Sequence, residues 1–457
     1  MDVFKYKPID LKGSAFRLLR LFKGKESDIE CELFQSWLYG DNVVTYEALS
    51  YTWGDTKMAR YIKINGTGLG VTENLYWALW HLRSQDTDKI LWVDAVCINQ
   101  SNEKERGHQV QQMRNIYSQA DRVIFWLGLE TLAIEVLMDS LKHLQEEHIE
   151  HEYGDWKLAD KRWIDRWSAV KPILRRQYPD LSLEALQRNG IQLLLERPWF
   201  QRVWILQEVA NAKAAVVCTG TRAVSARIFA LAPLLTGVQP EPHCQAVLDI
   251  MPGQSRKDSW WSQKRDLYTL LVKFNGSKAS DERDMIYALL GISSDARDND
   301  SLRADYTKDA QQVVHDAISF LFGLTDTRYH TMSEFLRNFT PLNTASLSKI
   351  AKSNDARNVA DLLKIRGGDV KITEEVVKAA AQNTKNGKKV MALLLKQRGD
   401  EVNITEEVVK AAARNRKNGK GVMALLLKQR GDEVKETKSR LQRRWQKQRQ
   451  RIRRVVS

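Results

Sequence analysis

At 457 residues the chain exceeds the usual reach of one hydrophobic core, and its 43% apolar content can fill more than one. Charged residues, 28% of the total and spread along most of the length, describe an ordinary globular surface and exclude a disordered polyampholyte. The formal net charge of +14 is concentrated: Lys435 to Ser457 holds ten Lys and Arg against Glu436 alone, or +9, so the other 434 residues carry only about +5 and are not a uniformly basic body.

Four well-separated cysteines, Cys31, Cys97, Cys218 and Cys244, form no C-x-x-C pair, which suggests neither a zinc site nor a disulfide framework and fits a reducing compartment. The opening MDVFKYKPIDLKGS lacks the apolar stretch of a signal peptide, and no uncharged apolar run approaches the ~18 residues of a membrane span. The expected location is therefore cytoplasmic, with nuclear entry open to a chain ending in such a basic tail.

From Val43 to Gly220 short apolar runs alternate with amphipathic helical patterns, predicting an α/β fold with a mainly parallel sheet flanked by helices. The strand candidates, rich in β-branched and aromatic residues, are Thr45 to Tyr51, Tyr61 to Ile64, Ile90 to Val96, Arg122 to Leu127 and Ala214 to Thr219. Asn65-Gly66 between strand-like segments favours a hairpin over a phosphate loop, although Gly66-x-Gly-x-Gly70 superficially resembles one. Thr72 caps a helix over Asn74 to Arg83, and Ser101 a second helix whose Val110, Met113, Tyr117 and Ala120 form one stripe. Residues 148–185, rich in Trp, Arg and Asp, read as an insertion between core elements.

Farther on the chain repeats itself. Ile372-Thr-Glu-Glu-Val-Val-Lys-Ala-Ala-Ala returns at Ile404 and Met391-Ala-Leu-Leu-Leu-Lys-Gln-Arg-Gly-Asp-Glu-Val at Met423, both after 32 residues, with a decayed copy from Val359. Each copy holds two helix patterns around Asn-Gly, so stacked helical hairpins similar to ankyrin repeats are expected, without the ankyrin Thr-Pro-Leu-His signature. The organisation expected is a domain over 1–325, a linker over 326–354, repeats over 355–434 and the basic tail over 435–457. The repeats are the expected seat of protein partners. The tail, with Trp445 among its arginines, suits nucleic acid, an anionic surface or a nuclear-import signal.

Three segments carry a family resemblance: Tyr46-Glu-Ala-Leu-Ser-Tyr-Thr-Trp-Gly-Asp55, Leu91-Trp-Val-Asp-Ala-Val-Cys-Ile-Asn-Gln100 and Arg197-Pro-Trp-Phe-Gln-Arg-Val-Trp-Ile-Leu-Gln-Glu-Val-Ala210. With Ala120-Asp-Arg-Val-Ile-Phe-Trp-Leu-Gly128 and Asp284-Met-Ile-Tyr-Ala-Leu-Leu-Gly-Ile292, they resemble the heterokaryon-incompatibility (HET) domain of fungi over roughly residues 1–325. That resemblance implies a trigger of programmed cell death when incompatible cells fuse. HET domains in turn resemble TIR domains, some of which cleave NAD at the nicotinamide bond. NAD is thereby implied as a substrate rather than a tightly bound cofactor, with a TIR-like core.

Trp204-Ile-Leu-Gln-Glu208 is similar to the TIR helix in which a Trp precedes the catalytic Glu by four, one helical turn, so the indole would wall a pocket receiving the carboxylate. Glu208 is the catalytic candidate, since a carboxylate stabilises an oxocarbenium-like state. The bland alternative pairs it with Arg197 or Arg202. Asp94, at the end of a predicted strand, would orient a substrate hydroxyl or cap the next turn; Ser50 and Trp53 would line the pocket or simply pack. Cys97 with His108 would make a thiol and base, but lacks an orienting third group. No Gly-x-x-x-x-Gly-Lys-Ser/Thr occurs, which removes a P-loop ATPase. A non-enzymatic scaffold that oligomerises through the α/β domain competes with catalysis, because the sequence shows no full acid and base pair.

Overall fold

The structure is a computed structural model that describes residues 4–436 apart from 26–27, 41–42, 55–57, 59, 151–155, 158–159, 298, 300–301, 323–330, 338–346, 349–350, 353–355, 357–358, 361–362 and 364–370. It divides into two compact units, Met1–Val313 and Val314–Ser457. Most of the expected linker and decayed repeat, and the tail from 437, lie outside the described residues.

The first unit is built on one nine-stranded sheet. Its strands are β1 (Ala15–Leu21), β2 (Glu30–Trp37), β3 (Glu47–Tyr51), β4 (Arg60–Ile64), β5 (Thr67–Val71), β6 (Lys89–Trp92), β7 (Arg122–Trp126), β8 (Ala215–Thr219) and β9 (Arg222–Ser225), in the order β5-β4-β2-β1-β6-β3-β7-β8-β9. The expected α/β fold is present, and its middle, β6-β3-β7-β8, is parallel throughout. The flanks make the sheet mixed: β1 runs antiparallel to both β2 and β6, β4 to β5, and β8 to β9.

Strands β1, β2, β5 and β9 are additions to the predicted set. The β1 segment, Ala-Phe-Arg-Leu-Leu-Arg-Leu, has no period-two alternation because both its faces are covered, which erases the usual strand signal. Its Arg17 is buried and donates to both carboxylate oxygens of Glu105 at 2.5 and 3.0 Å. The β4–β5 connection is the expected hairpin, with Asn65 and Gly66 at φ 51° and 82°; Gly68 and Gly70 lie inside β5, so no phosphate loop forms there.

Helices cover the sheet. Thr72 caps α1 (Glu73–Leu82) through its hydroxyl, which accepts from the Leu75 amide. A short α2 (Asp94–Cys97) precedes α3 (Glu103–Gln119), whose cap is Asn102 rather than Ser101: the Asn102 side chain accepts from the Glu105 amide. The buried face of α3 comprises Glu105, Gln109, Met113, Ile116 and Tyr117, with Val110 only partly covered. The expected insertion, read as helical, carries a helix. It lies between α4 (Leu132–Glu150) and α6 (Leu183–Leu195) as α5 (Arg162–Gln177), which buries Trp163, Trp167, Val170 and Leu174 at regular helical spacing. A 3-10 turn at Pro198–Gln201 leads into α7 (Ile205–Asn211), and farther on lies α8 (Asp284–Leu290).

In the second unit the repeat forms two helical hairpins, α9 (Glu374–Gln382) with α10 (Gly387–Arg398) and α11 (Glu406–Arg414) with α12 (Gly419–Gln429). Val376, Val377, Val390, Met391, Leu394 and their equivalents 32 residues on are core, except that Met423 is partly covered. Of the two adjacent leucines in each copy's second helix, Leu394 and Leu426 are fully buried, whereas Leu395 is half-buried and Leu427 is 39% exposed, because adjacent positions cannot share the one apolar face. Glycine is required at the tight turn: a Cβ on Gly419 would sit 2.1 Å from the Ala412 carbonyl oxygen. No helix among the described residues is long and apolar enough to cross a membrane.

Candidate functional site

The carboxyl ends of parallel strands are where an open α/β sheet exposes convergent loops, and three chain segments meet there. Strand β3 ends in Ser50 and Tyr51. Strand β6 ends at Trp92, after which Asp94 is the first residue of α2 rather than the last of a strand. Helix α7 brings Glu208 in its first turn, and Arg202 stands just before it.

Asp94 is held from several sides. Its Oδ1 accepts from the Ala95 amide at 2.7 Å and its Oδ2 from the Trp53 indole at 2.9 Å, while the Tyr51 hydroxyl also bonds to it. Ser50 is fully buried, receives the Trp199 indole N–H at 2.8 Å and bonds to Glu208. Glu208 is only 1% exposed, and its Oε2 is buried without a hydrogen-bond partner among the described residues. Arg202 donates from Nη1 to the Tyr51 carbonyl. It attracts Glu208 and Asp94 through space, and among the described residues it makes no direct ion pair with either.

These surroundings set the charges. Burial pushes the Glu208 carboxyl up to about 7; Arg202 pulls it down, Asp94 raises it further, and the Ser50 bond lowers it. Burial also raises Asp94, against the opposing pull of Arg202 and the Trp53 bond. The Tyr51 and Tyr117 hydroxyls, likewise buried, stay neutral with values pushed well above the usual range. Burial works against the Arg202 charge, but Glu208 and then Asp94 outweigh it. The cluster is one cation between two carboxyls of which Glu208 is poised near neutrality, a pattern found where protonation does work.

Of the residues read from the sequence, Ser50, Trp53, Asp94 and Glu208 come together. Trp204 does not join them through its polar end: its indole N–H donates to Asp284 Oδ2 at 2.9 Å, and the Tyr306 hydroxyl takes the other Asp284 oxygen at 2.7 Å. Arg197, the other arginine weighed as a partner of Glu208, donates to the Leu129 carbonyl. The Cys97 thiol is fully buried, pushed up to about 12 chiefly by burial, while His108 bonds to the Gly13 carbonyl and to Gln109, so the two do not form a dyad. Sequence reasoning passed over Arg202 as a site residue, and over Tyr51 and Tyr117. The first lies six residues before Glu208 and the second next to Ser50, inside the motifs already singled out.

The family model described as "Heterokaryon incompatibility protein (HET)" matches residues 46–208, which contain β3, the β6-to-α2 turn and Glu208. A domain of unknown function, DUF7104, matches 362–391 and 393–423. The chain is similar to "Heterokaryon incompatibility protein 6, OR allele" of Neurospora crassa, 27% identical over 311 residues, covering 58% of this chain and 45% of that protein. It thus spans less than half the length of that curated relative. No solved structure matches. On the matched motifs and the elements that carry them, residues 46–208 are similar to the heterokaryon-incompatibility (HET) domain, a likeness the chain shares with the Neurospora protein.

Proposed function

We propose that this protein is a heterokaryon-incompatibility effector that triggers programmed cell death in fungal non-self recognition, and that its α/β domain acts by cleaving NAD at the Asp94–Arg202–Glu208 cluster. The incompatibility role rests on the similarity to the Neurospora protein of that name. The single observation supporting the chemistry is Glu208: a buried carboxyl with an unsatisfied oxygen at the carboxyl edge of a parallel sheet. Cytoplasmic action fits this reading, with the basic tail available for nuclear entry.

In the reaction the bond from ribose C1′ to the nicotinamide nitrogen breaks, and its electron pair leaves with neutral nicotinamide. Positive charge developing on the ribose is met by ionised Glu208, and water adds to C1′ and releases one proton, giving ADP-ribose. Asp94 would hold a ribose hydroxyl, Ser50 would orient Glu208, and Trp53 would fix Asp94. Arg202 favours the ionised form of both acids. With Glu208 1% exposed, turnover requires the cluster to open.

That same burial favours a second reading, in which Ser50, Tyr51 and Glu208 are core residues of a scaffold that oligomerises through the α/β domain. Incubating the purified chain with NAD and following nicotinamide by chromatography separates them. Release that disappears in Glu208→Gln supports catalysis; a folded chain that releases none, while still killing in a fungal host, leaves the scaffold.

A further inference from the structure

The two repeat copies are bonded in strict register. Asn415 Nδ2 donates to the carbonyls of Ala381 and Asn383, each at 2.9 Å, and Asn418 Nδ2 donates to the Thr384 carbonyl at 2.6 Å. Residues 32 apart therefore stand side by side. Between α9 and α11 this leaves a cleft of about 370 Å³ whose cations are Lys378, Lys410, Arg414, Arg416 and Lys417. Among the described residues the one acidic side chain lining it, Glu407, is already held by Lys378 at 3.8 Å and Lys410 at 3.2 Å.

Arg414, Arg416 and Lys417 are exposed, and among the described residues they form no ion pair. Lys385, Lys388, Lys389 and Lys420 extend the positive edge along the two turns. Folding does not explain it. Cations in the first turn of a helix oppose its dipole, yet α10 and α12 begin with Lys388, Lys389 and Lys420 and have no acid there.

We propose that this cleft is the docking site for an extended acidic peptide segment of a partner protein. Neighbouring helices lie about 8–10 Å apart and an extended chain advances about 3.3 Å per residue, so cations on successive copies match carboxylates three residues apart. Gln382 and Thr384 on the rim offer hydrogen bonds to a peptide backbone. Single-stranded nucleic acid is the weaker fit, because residues 371–436 contain no Phe, Tyr or Trp on which bases stack.

The probe is fluorescein-labelled (Glu-Ser-Gly)4, titrated by anisotropy against the full chain at low salt. Reversal of Arg414, Arg416 and Lys417 to Glu weakens binding at least about tenfold with unchanged helical signal, and raised salt weakens the parent likewise. Should that reversal disturb the helices, Arg414→Gln with Lys417→Gln gives a loss of about threefold or more. In the full chain, changing Arg443, Arg444, Arg451, Arg453 and Arg454 to Gln leaves the cleft's contribution intact. Unchanged binding by the reversed cleft, or binding abolished by the tail changes alone, overturns the proposal. So does a single-stranded oligonucleotide of equal charge that binds more tightly through the same three residues.

Discussion

The indole N–H of Trp204 and the Oδ2 of Asp284 lie 2.9 Å apart across 80 residues of sequence, tying α7 to α8. The bond anchors the helix that carries Glu208 and gives Trp204 a positioning duty distinct from walling a pocket. Asp284 is 9% exposed with a raised carboxyl pKa caused first by burial, so its two bonds are its replacement for water. Trp204→Phe should lower stability by about 1–3 kcal/mol by leaving that oxygen unpaired. Thermal unfolding measures it; an unchanged midpoint would show that the bond adds nothing.

Glu208 carries a pH signature. Its folded value of about 7 lies above the ordinary 4.5, so its contribution to stability is complete below about pH 4.5 and is lost as pH rises through 7. Glu208→Gln has no proton to lose. Relative to the variant, the parent should lose on the order of 3 kcal/mol between pH 4.5 and 8. Urea unfolding across that range tests it, and parallel stability curves would mean Glu208 is ionised throughout. If the cluster cleaves NAD, nicotinamide release should rise over the same interval, because the ionised carboxylate is the active form.

Arg202 is the countercharge of both acids. Arg202→Met should therefore cost about 3–5 kcal/mol at pH 8, where Asp94 and Glu208 would face each other without a cation. At pH 5 the loss should be smaller, since protonation relieves the repulsion. Equal losses at both pH values would indicate that Arg202 acts through its bond to the Tyr51 carbonyl and not through its charge.

The Asn415 side chain makes four hydrogen bonds from a buried position: two donated across the copies, and two accepted from the Lys417 and Asn418 amides at 3.2 and 3.0 Å. Asn415→Ala should destabilise the repeats by about 3 kcal/mol, through buried carbonyls and amides left without partners. Limited proteolysis should then cut the repeats faster while the first unit stays intact; equal cutting rates would refute the ladder.

The sequence by itself determined what is periodic and local. Leu49, Ile124 and Val216 sit in strands of one parallel array, as short runs of β-branched and aromatic residues favour, whereas Val93, expected in the same sheet, lies past the end of β6 as the residue that precedes α2. Asn65-Gly66 makes its hairpin and Thr72 its cap from chemistry within three residues. The 32-residue period announced the paired helices, since each copy must bury the same stripe. Tertiary structure alone decided the rest. Strand β1 had no alternation to read, because its positions are apolar and buried except Arg17, bonded to a Glu 88 residues away, and the partly exposed Arg20, bonded to Glu32 on β2. The motif Arg197 to Ala210 named Glu208 and Trp204 together, yet the fold sends one carboxylate inward to Ser50 and the indole N–H out to Asp284. Which arginine faces Glu208, and how far its proton affinity climbs, depends on burial and on the charges of Asp94, brought by α2, and of Arg202, just before α7. Spacing along the chain carries no record of either, because dielectric surroundings exist only once the chain has packed.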